Sequence, residues 1–204
     1  MITVGIDEVG RGCLAGPLVA AAVVLKSSIT GLNDSKILTK KQRQMLSAQI
    51  QEKAVAYGIG WVAPAFIDMY GLTLSVTRAM QQALAAIDVK YDEVIIDGNY
   101  NFLPNEPLAT CIVKADSSVP SVSAASIIAK VARDNYMQLA HKSFPDYGFD
   151  CHVGYGTKLH LQRLHEFGIC ELHRKSFKPV RKLVQKAKQE HALALQSNGN
   201  HVAN

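Results

Sequence analysis

The sequence lacks the cysteine pattern of a disulfide-stabilised protein. Its 204 residues include four cysteines, and no two of them form a CxxC pair. A disulfide framework is therefore excluded as the basis of the fold, and we expect a reducing, cytoplasmic location. Charged residues are also few, at 19% against 48% hydrophobic residues. This balance excludes a disordered chain and is sufficient for the core of one domain.

Long hydrophobic runs are absent as well, since a bilayer span needs about 20 apolar residues. The most apolar segment, 13–25, has the small residues of a signal-peptide core. However, Asp7, Glu8 and Arg11 precede it, so the leading stretch is net negative where a signal peptide is positive. We therefore expect no membrane partner and interpret 18–25 as a buried strand.

Several common active-site motifs are missing. There is no GxxxxGK[ST] phosphate loop and no GxSxG nucleophile elbow. The GRG at 10–12 has no third glycine at the spacing used for dinucleotides. Structural zinc is disfavoured because Cys170 and His173 form one CxxH and no second pair has matching spacing.

The hydrophobic periodicity predicts an α/β layered domain with a central sheet. The predicted strands are 2–7, 18–25, 56–63, 92–98 and 109–116. The predicted helices are 40–53, 72–87, 121–142 and 157–168. Composition suggests a core over 1–150, a basic helical appendage of the same domain over 151–190, and a flexible tail over 191–204.

Acidic residues at strand ends are the sharpest functional pattern. Asp7 and Glu8 end the first strand, and Asp97 and Asp116 each end a later apolar run. Because neighbouring carboxylates repel one another, such a cluster favours a divalent cation, and oxygen ligands suit Mg²⁺ or Mn²⁺. Two such ions ~4 Å apart can activate a water and stabilise the leaving oxygen in phosphodiester hydrolysis.

Asp7 is the expected bridge between two ions because it belongs to the strand proper. Glu8 is adjacent and should point to the opposite face, unless the chain turns at the glycines that follow. The alternative is that each acid forms a turn or caps a helix, as a lone Asp after a strand most often does.

Five long motifs resemble those of bacterial ribonuclease HII, the type 2 ribonuclease H. They are GIDEVGRGCLAGPLVAAAVVL (5–25), LNDSKILTKKQR (32–43), IIDGN (95–99), KADSSVPSVSAASIIAKVARD (114–134) and HVGYGTKLHLQRLHEFG (152–168). The resemblance covers residues 2 to about 185. It implies a ribonuclease H-like fold, with a central mixed five-stranded sheet flanked by helices and a C-terminal helical region.

The implied activity is a metal-dependent endonuclease. It would hydrolyse the RNA strand of RNA/DNA hybrids and cut 5′ of ribonucleotides embedded in DNA, leaving 5′-phosphate and 3′-hydroxyl ends. The family's metal ligands and catalytic acids fall on Asp7, Glu8, Asp97 and Asp116. Its substrate-binding residues fall on Gly10, Arg11, Gly12, Ser35, Lys36 and Tyr155.

The substrate-binding residues have alternative interpretations. GRG alone describes an ordinary tight turn, Tyr155 a half-buried loop aromatic, and Lys36 a solvated charge before a helix. Cys13 stands where relatives often carry proline, and we expect that difference to be silent. We interpret Ser123 and Ser126 as packing residues.

Basic side chains are candidate nucleic-acid contacts, with a solvated face as the alternative. Lys130 and Arg133 lie on the long predicted helix and are equally consistent with surface charges. A further basic stretch is a candidate duplex track, which should position the duplex without reading its sequence and weaken with salt. It comprises Arg174, Lys175, Lys178, Arg181, Lys182, Lys186 and Lys188.

The expected partners are RNA/DNA hybrids, ribonucleotide-containing DNA duplexes, and replication or repair proteins, bound by a monomer. One competing hypothesis is another nuclease of the same fold, a resolvase or an exonuclease, which would cut an all-DNA duplex. The other is a non-catalytic nucleic-acid-binding module built on the basic stretch, which would show no Mg²⁺-dependent turnover.

Overall fold

The computed structural model describes residues 1–32, 35 and 37–199, with side chains as far as 189. The strands are β1 (Thr3–Val9), β2 (Leu18–Leu25), β3 (Ala54–Val62), β4 (Glu93–Asp97) and β5 (Ala109–Ile112). The helices are α1 (Lys40–Lys53), α2 (Pro64–Ala85), α3 (Pro120–Ser143), α4 (Phe149–His152), α5 (Lys158–Phe167) and α6 (Lys178–Gly199). Alternating strands and helices confirm the predicted α/β class.

The sheet is mixed and has the order β3-β2-β1-β4-β5. The first three strands form an antiparallel meander, whereas β4 and β5 run parallel to β1. The predicted mixed five-stranded sheet is therefore confirmed. Because β1, β4 and β5 run in the same direction, their carboxyl ends meet at one edge of the sheet.

Helices cover the sheet on both faces. Val4, Ile6 and Ile96 face α2, and Val19 and Val23 face α1 and α3. β2 is buried on both faces, which explains the unbroken apolar run at 18–25.

Close packing of α3 on β1 depends on Gly5. A Cβ at Gly5 would clash with the backbone of Ser121 and Val122, so only glycine lets the two elements approach this closely. The first turns of α3 are consequently fixed against the strand that carries Asp7.

Two element boundaries differ from the prediction by more than two residues. β5 ends at Ile112, because Lys114 adopts a left-handed conformation (φ 61°) and turns the chain into a 3₁₀ turn at 115–117. α2 begins at Pro64, earlier than predicted, and is interrupted at Gly71 (φ 79°). The predicted helix at 72–87 corresponds to the part after this interruption.

The C-terminal helices pack against the loop that joins β1 to β2. Leu14 contacts Leu164 of α5 and Val180 of α6, and Ala15 forms an isolated bridge with His173. The backbone of α6 is helical to Gly199, so it overlaps the predicted tail, whereas 200–204 lie outside the described residues. The division at 150 and 190 stays a prediction. Among the described helices, none is long and apolar enough to cross a membrane.

Candidate active site

Parallel pairing of β1 and β4 places two predicted acids side by side. Ile6 pairs with Ile96, so Asp7 and Asp97 occupy the next position on neighbouring strands. Both residues lie on the α3 face of the sheet, opposite to Ile6 and Ile96, because side chains alternate along a strand. The register of the sheet therefore brings together carboxylates that are 90 positions apart in the sequence.

Asp116 joins them from the turn after β5. The prediction that it ends a strand is wrong, because the left-handed Lys114 carries the chain back towards the sheet before Asp116 is reached. Asp7, Asp97 and Asp116 each offer one carboxylate oxygen, and all three oxygens lie within 4.8 Å of one another. Asp7 and Asp116 are buried, and Asp97 is half-buried.

The electrostatics of this cluster favour a cation. Burial, the Glu8 charge and the Asp97 charge together raise the pKa of Asp7 well above its usual range. The pKa of Glu8 is raised by burial and by Asp97, and the Arg11 guanidinium opposes that rise. A concentrated negative site with only oxygen donors fits a hard divalent ion such as Mg²⁺ or Mn²⁺.

Glu8 lies beside the three-carboxylate cluster. β1 continues without a turn through Glu8 to Val9, so Glu8 points away from α3. Its Oε1 accepts a hydrogen bond from Arg11 at 3.0 Å, and the Arg11 guanidinium also lies 5.5 Å from the centre of the Phe102 ring. The role of Glu8 as a fourth ligand stays a prediction.

Ser126 reaches this site from α3, so the prediction that it is only a packing residue is incomplete. Its hydroxyl donates a hydrogen bond to the Asp7 carboxylate. The Ser35 and Ser126 hydroxyl oxygens are 2.9 Å apart and share a hydrogen bond. Ser35 is itself buried. Lys36 lies outside the described residues. Ser126 approaches Asp7 because α3 packs closely against β1 at Gly5. The sequence alone does not indicate this packing.

Two buried arginines hold the loop at 10–17. Arg133, whose side chain is fully buried, donates to the carbonyl oxygens of Ala15, Pro17 and Val153 at 2.8–3.0 Å. Arg133 is therefore neither a surface charge nor an exposed nucleic-acid contact, and both alternatives predicted for it are wrong. Gly10, at φ 93°, sits against this guanidinium, and a Cβ there would lie 2.5 Å from Nε of Arg133.

Arg174 is the second of these arginines. It donates to the Gly16 carbonyl at 2.9 and 3.1 Å and to the Arg11 carbonyl at 3.2 Å. Burial lowers its pKa to about 10, and it has no exposed surface. Arg174 is thus not part of a surface track, whereas the other six residues of the basic stretch are exposed.

Tyr155 lies next to this loop and is partly exposed. Two cations lie over its ring, with Lys130 Nζ at 5.5 Å and Arg133 Cζ at 5.9 Å from the ring centre. The Tyr155 hydroxyl lies near the buried thiol of Cys13, and burial, together with this proximity, raises the pKa of Tyr155. Lys130 also pairs with Asp134 at 2.8 Å. Cys13 is therefore adjacent to a predicted substrate-binding residue. The expectation that a cysteine at this position leaves the function unchanged stays a prediction.

A mixed sheet with carboxylates clustered beside the carboxyl ends of its parallel strands is typical of a metal-dependent nuclease of the ribonuclease H-like class. The family profile described as ribonuclease HII matches residues 4–180. The chain is 46% identical to ribonuclease HII of Bacillus cytotoxicus over 183 residues, which is 89% of this chain and 70% of that protein. It is 45% identical to the Hydrogenovibrio crunogenus enzyme over 89% of this chain and 88% of the relative. The chain belongs to the ribonuclease HII family and is an endoribonuclease.

Solved structures agree with this assignment. Ribonuclease H2 from Pyrococcus horikoshii superposes with a TM-score of 0.77 at 25% identity, covering 91% of this chain and 98% of that one. Ribonuclease HII of Archaeoglobus fulgidus, solved in complex with PCNA, gives a TM-score of 0.74 at 26% identity, with coverages of 87% and 96%. Bst-RNase HIII in complex with Mn²⁺ gives a TM-score of 0.68 at 21% identity, with coverages of 93% and 71%, and shares the fold.

Proposed function

We propose that this ribonuclease HII cuts DNA 5′ of embedded ribonucleotides and the RNA strand of RNA/DNA hybrids, leaving 5′-phosphate and 3′-hydroxyl ends. In this role it would excise ribonucleotides from DNA and remove RNA primers. The observation that carries the proposal is the cluster of three carboxylates, which lies beside a loop with open space at Gly12.

Asp7, Asp97 and Asp116 are the residues that would hold the divalent ions, with Asp7 as the bridge. The bound ions would lower the pKa of the attacking water and stabilise the charge on the leaving oxygen. Ser126 fixes the orientation of Asp7 by its hydrogen bond. Glu8 is the proposed fourth ligand, and its Oε1 accepts a hydrogen bond from Arg11.

Ribose selection is assigned to the glycine loop, since the 2′-hydroxyl distinguishes RNA from DNA at the sugar. Arg174 holds the Arg11 carbonyl and thereby fixes the orientation of the neighbouring peptide groups. Gly12 is exposed, and its φ is not in the left-handed region. A Cβ at Gly12 would meet no described atom within 4 Å. Because the protein itself gives no steric reason for this glycine, we assign the open space to the ribose.

Gly12→Ala is the direct test of that space. We expect the variant to fold with the stability of the wild type and to lose at least tenfold in kcat/KM on a duplex with one ribonucleotide, because the methyl group occupies the ribose position. Gly10→Ala is the matched control for a structural glycine. Gly10→Ala should lower the melting temperature in addition to kcat/KM, because its Cβ would clash with the Arg133 side chain. Full activity of Gly12→Ala would contradict the assignment of the ribose to this position.

Tyr155→Ala should impair cleavage at a single ribonucleotide more than cleavage of a long hybrid. An isolated ribose offers one set of sugar contacts, whereas a hybrid offers many registers in which the remaining contacts suffice. The ratio of kcat/KM on the two substrates is the measurement. Equal losses on both would argue against a sugar-sensing role for Tyr155.

The reaction itself is tested with a labelled DNA duplex that carries one ribonucleotide, beside an all-DNA duplex, with Mg²⁺ or Mn²⁺ and with EDTA. We expect a metal-dependent cut 5′ of the ribonucleotide and no cut in the control. Cleavage of both duplexes would move the protein to the general nucleases of this fold. Binding without cleavage would favour the binding-module hypothesis.

The remaining proposals concern location and partners. We propose a cytoplasmic monomer whose exposed basic residues on and before α6 contact the duplex backbone, so that binding weakens with salt. Ser35 and Lys36 are proposed to contact phosphate. Replication or repair proteins are proposed as partners, and the complex of an archaeal relative with PCNA supports this proposal.

A further inference from the structure

Three buried histidines lie outside the carboxylate site. His152 ends α4, His160 belongs to α5, and His173 lies in the segment between α5 and α6. Their exposed fractions are 6%, 0% and 1%. The rings of His152 and His160 are stacked, with centroids 4.3 Å apart. The cluster contacts the backbone of Tyr155 through His160 and takes no part in the proposed metal chemistry.

Backbone groups fix the protonated nitrogen on each ring of the histidine pair, His160 and His173. The Cys170 backbone N–H donates to Nδ1 of His173 at 2.9 Å, a closer contact than the 3.3 Å between Nδ1 and the Cys170 carbonyl. His173 must therefore carry its proton on Nε2. The two Nε2 atoms are 3.0 Å apart, so His173 donates and His160 accepts.

The direction of these bonds continues to Tyr155. Since Nε2 of His160 accepts, its proton is on Nδ1, and this nitrogen lies 2.9 Å from the Tyr155 carbonyl oxygen. Burial lowers the pKa of both His160 and His173 to about 4, so both rings are neutral at physiological pH. In this series of hydrogen bonds, which runs from the Cys170 N–H to the Tyr155 carbonyl, every donor thus meets an acceptor.

The third histidine is fixed in the same way. Gly154 N–H donates to Nδ1 of His152 at 3.2 Å, so Nε2 carries the proton and donates to the Tyr147 carbonyl at 2.8 Å. With all ring nitrogens of the cluster engaged in hydrogen bonds, these histidines are not arranged as zinc ligands.

The segment at Tyr155 is held between the histidine pair and the glycine loop. The Gly154 carbonyl accepts hydrogen bonds from the backbone of Leu14 and Ala15, and the Tyr155 N–H donates to the His152 carbonyl. The Tyr155 carbonyl accepts from His160 and from the Thr157 N–H at 2.8 Å. The two parts of the proposed ribose-reading site, the glycine loop and Tyr155, are therefore joined at this segment.

We propose that the histidine pair positions Tyr155 for single-ribonucleotide recognition through one directed series of hydrogen bonds, Cys170 N–H to His173 to His160 to the Tyr155 carbonyl. The inference rests on the proposed sugar-sensing role of Tyr155. His160 and His173 act through Tyr155 and are positioning residues. Without the Nε2–H of His173, only the Tyr155 carbonyl favours the Nδ1–H form of His160. In the other form a ring lone pair faces that carbonyl, so the contact with Tyr155 is lost.

The first test reads the protonated nitrogens directly. Long-range ¹H–¹⁵N correlation spectra of the uniformly ¹⁵N-labelled wild type at pH 7 should show His160 protonated at Nδ1 and His173 at Nε2. Assignment follows from the loss of signals in His160→Asn and His173→Phe. A His160 ring protonated at Nε2 would overturn the proposal, whatever the enzyme cleaves.

The second test measures substrate preference. His173→Phe keeps an aromatic ring of similar size but removes the donor. It should lower the ratio of kcat/KM on a single ribonucleotide to that on a long hybrid about tenfold, with hybrid cleavage largely retained. His173→Gln, whose amide N–H can donate to His160, should restore part of the ratio. His165→Gln, an exposed histidine on α5, should leave it unchanged.

The two proposals are separated by a double-substitution cycle. If Tyr155→Ala lowers the ratio, His173→Phe in the Tyr155→Ala background should lower it no further, because both act through one residue. A fully additive loss would contradict positioning through Tyr155. If Tyr155→Ala leaves the ratio unchanged, the sugar-sensing function fails, and the spectra still decide whether the hydrogen bonds run as assigned.

Discussion

Asp7→Asn is expected to reduce cleavage of a ribonucleotide-containing duplex by about 10³-fold or more. The substitution keeps the shape of the side chain but removes the charge that would bridge the two ions. Metal stabilisation of the transition state is worth several kcal/mol, and about 4 kcal/mol corresponds to that factor. The measurement is single-turnover cleavage at limiting Mg²⁺ and again at saturating Mn²⁺. Turnover at the wild-type rate under limiting metal would refute the assignment of Asp7.

The same substitution should stabilise the metal-free protein at neutral pH. A carboxyl whose pKa is raised on folding binds its proton more tightly in the folded state, so the free energy of unfolding falls as the pH rises from the unfolded pKa, about 3.9, through the raised folded one. Asn has no such dependence. In EDTA we expect a higher melting temperature for Asp7→Asn than for the wild type at pH 7.5, and a smaller difference near pH 4.

Metal addition should reverse that order. Mn²⁺ should raise the melting temperature of the wild type by binding the folded state, and it should do so much less for Asp7→Asn. Asp88→Asn, an exposed acid outside the cluster, is the matched control and should respond like the wild type. Equal metal-induced shifts in all three proteins would place the ions elsewhere.

Arg133→Met should produce the largest loss of stability of any single substitution considered. Three carbonyl oxygens, from Ala15, Pro17 and Val153, lose their donor in a site that water does not reach. Each buried acceptor left without a partner costs about 1–3 kcal/mol, so we expect a decrease of about 3–5 kcal/mol in the free energy of unfolding. At this chain length that corresponds to a fall of roughly 10 °C in the melting temperature.

Urea and thermal unfolding of Arg133→Met, Arg133→Lys and Arg163→Met decide this point. Lysine retains the charge but cannot direct donors at three carbonyl groups, so Arg133→Lys should remain strongly destabilised. Arg163 is partly exposed on α5 and pairs with Glu166, and its substitution should cost less than 1 kcal/mol. A loss below 1 kcal/mol for Arg133→Met would mean that the loop carbonyls find other partners.

The sequence was sufficient to predict the strands and the acids at their ends, because period-two alternation and buried apolar runs are local properties. Asp7 and Asp97 could be paired in advance only on the assumption of parallel neighbours, which the register of β1 and β4 confirms. Asp116 was assigned to a strand end because the left-handed turn at Lys114 has no glycine to mark it.

Arg133 and Arg174 were misjudged for a different reason. Arginine is normally exposed, and composition alone places it on the surface. Their hydrogen-bond partners are backbone carbonyls, and because every residue has one, the residue types in the sequence do not indicate these contacts. The hydrogen bond from Ser126 to Asp7 was missed likewise, since it depends on the approach of α3 to β1 that Gly5 permits. Such contacts follow from tertiary packing and leave no periodic pattern in the sequence.

The loop at 10–17 has a consequence for synthesis of the protein. Its carbonyl groups are held by Arg133 and Arg174, which follow more than 100 positions later in the chain. The ribosome therefore makes the reading loop among the first residues, yet the loop can adopt its final form only after residue 174 has emerged. A nascent chain that ends before this point contains all four acids but lacks Arg174, which holds the carbonyls of the proposed ribose-reading loop. The acids are thus made before the residues that complete this loop.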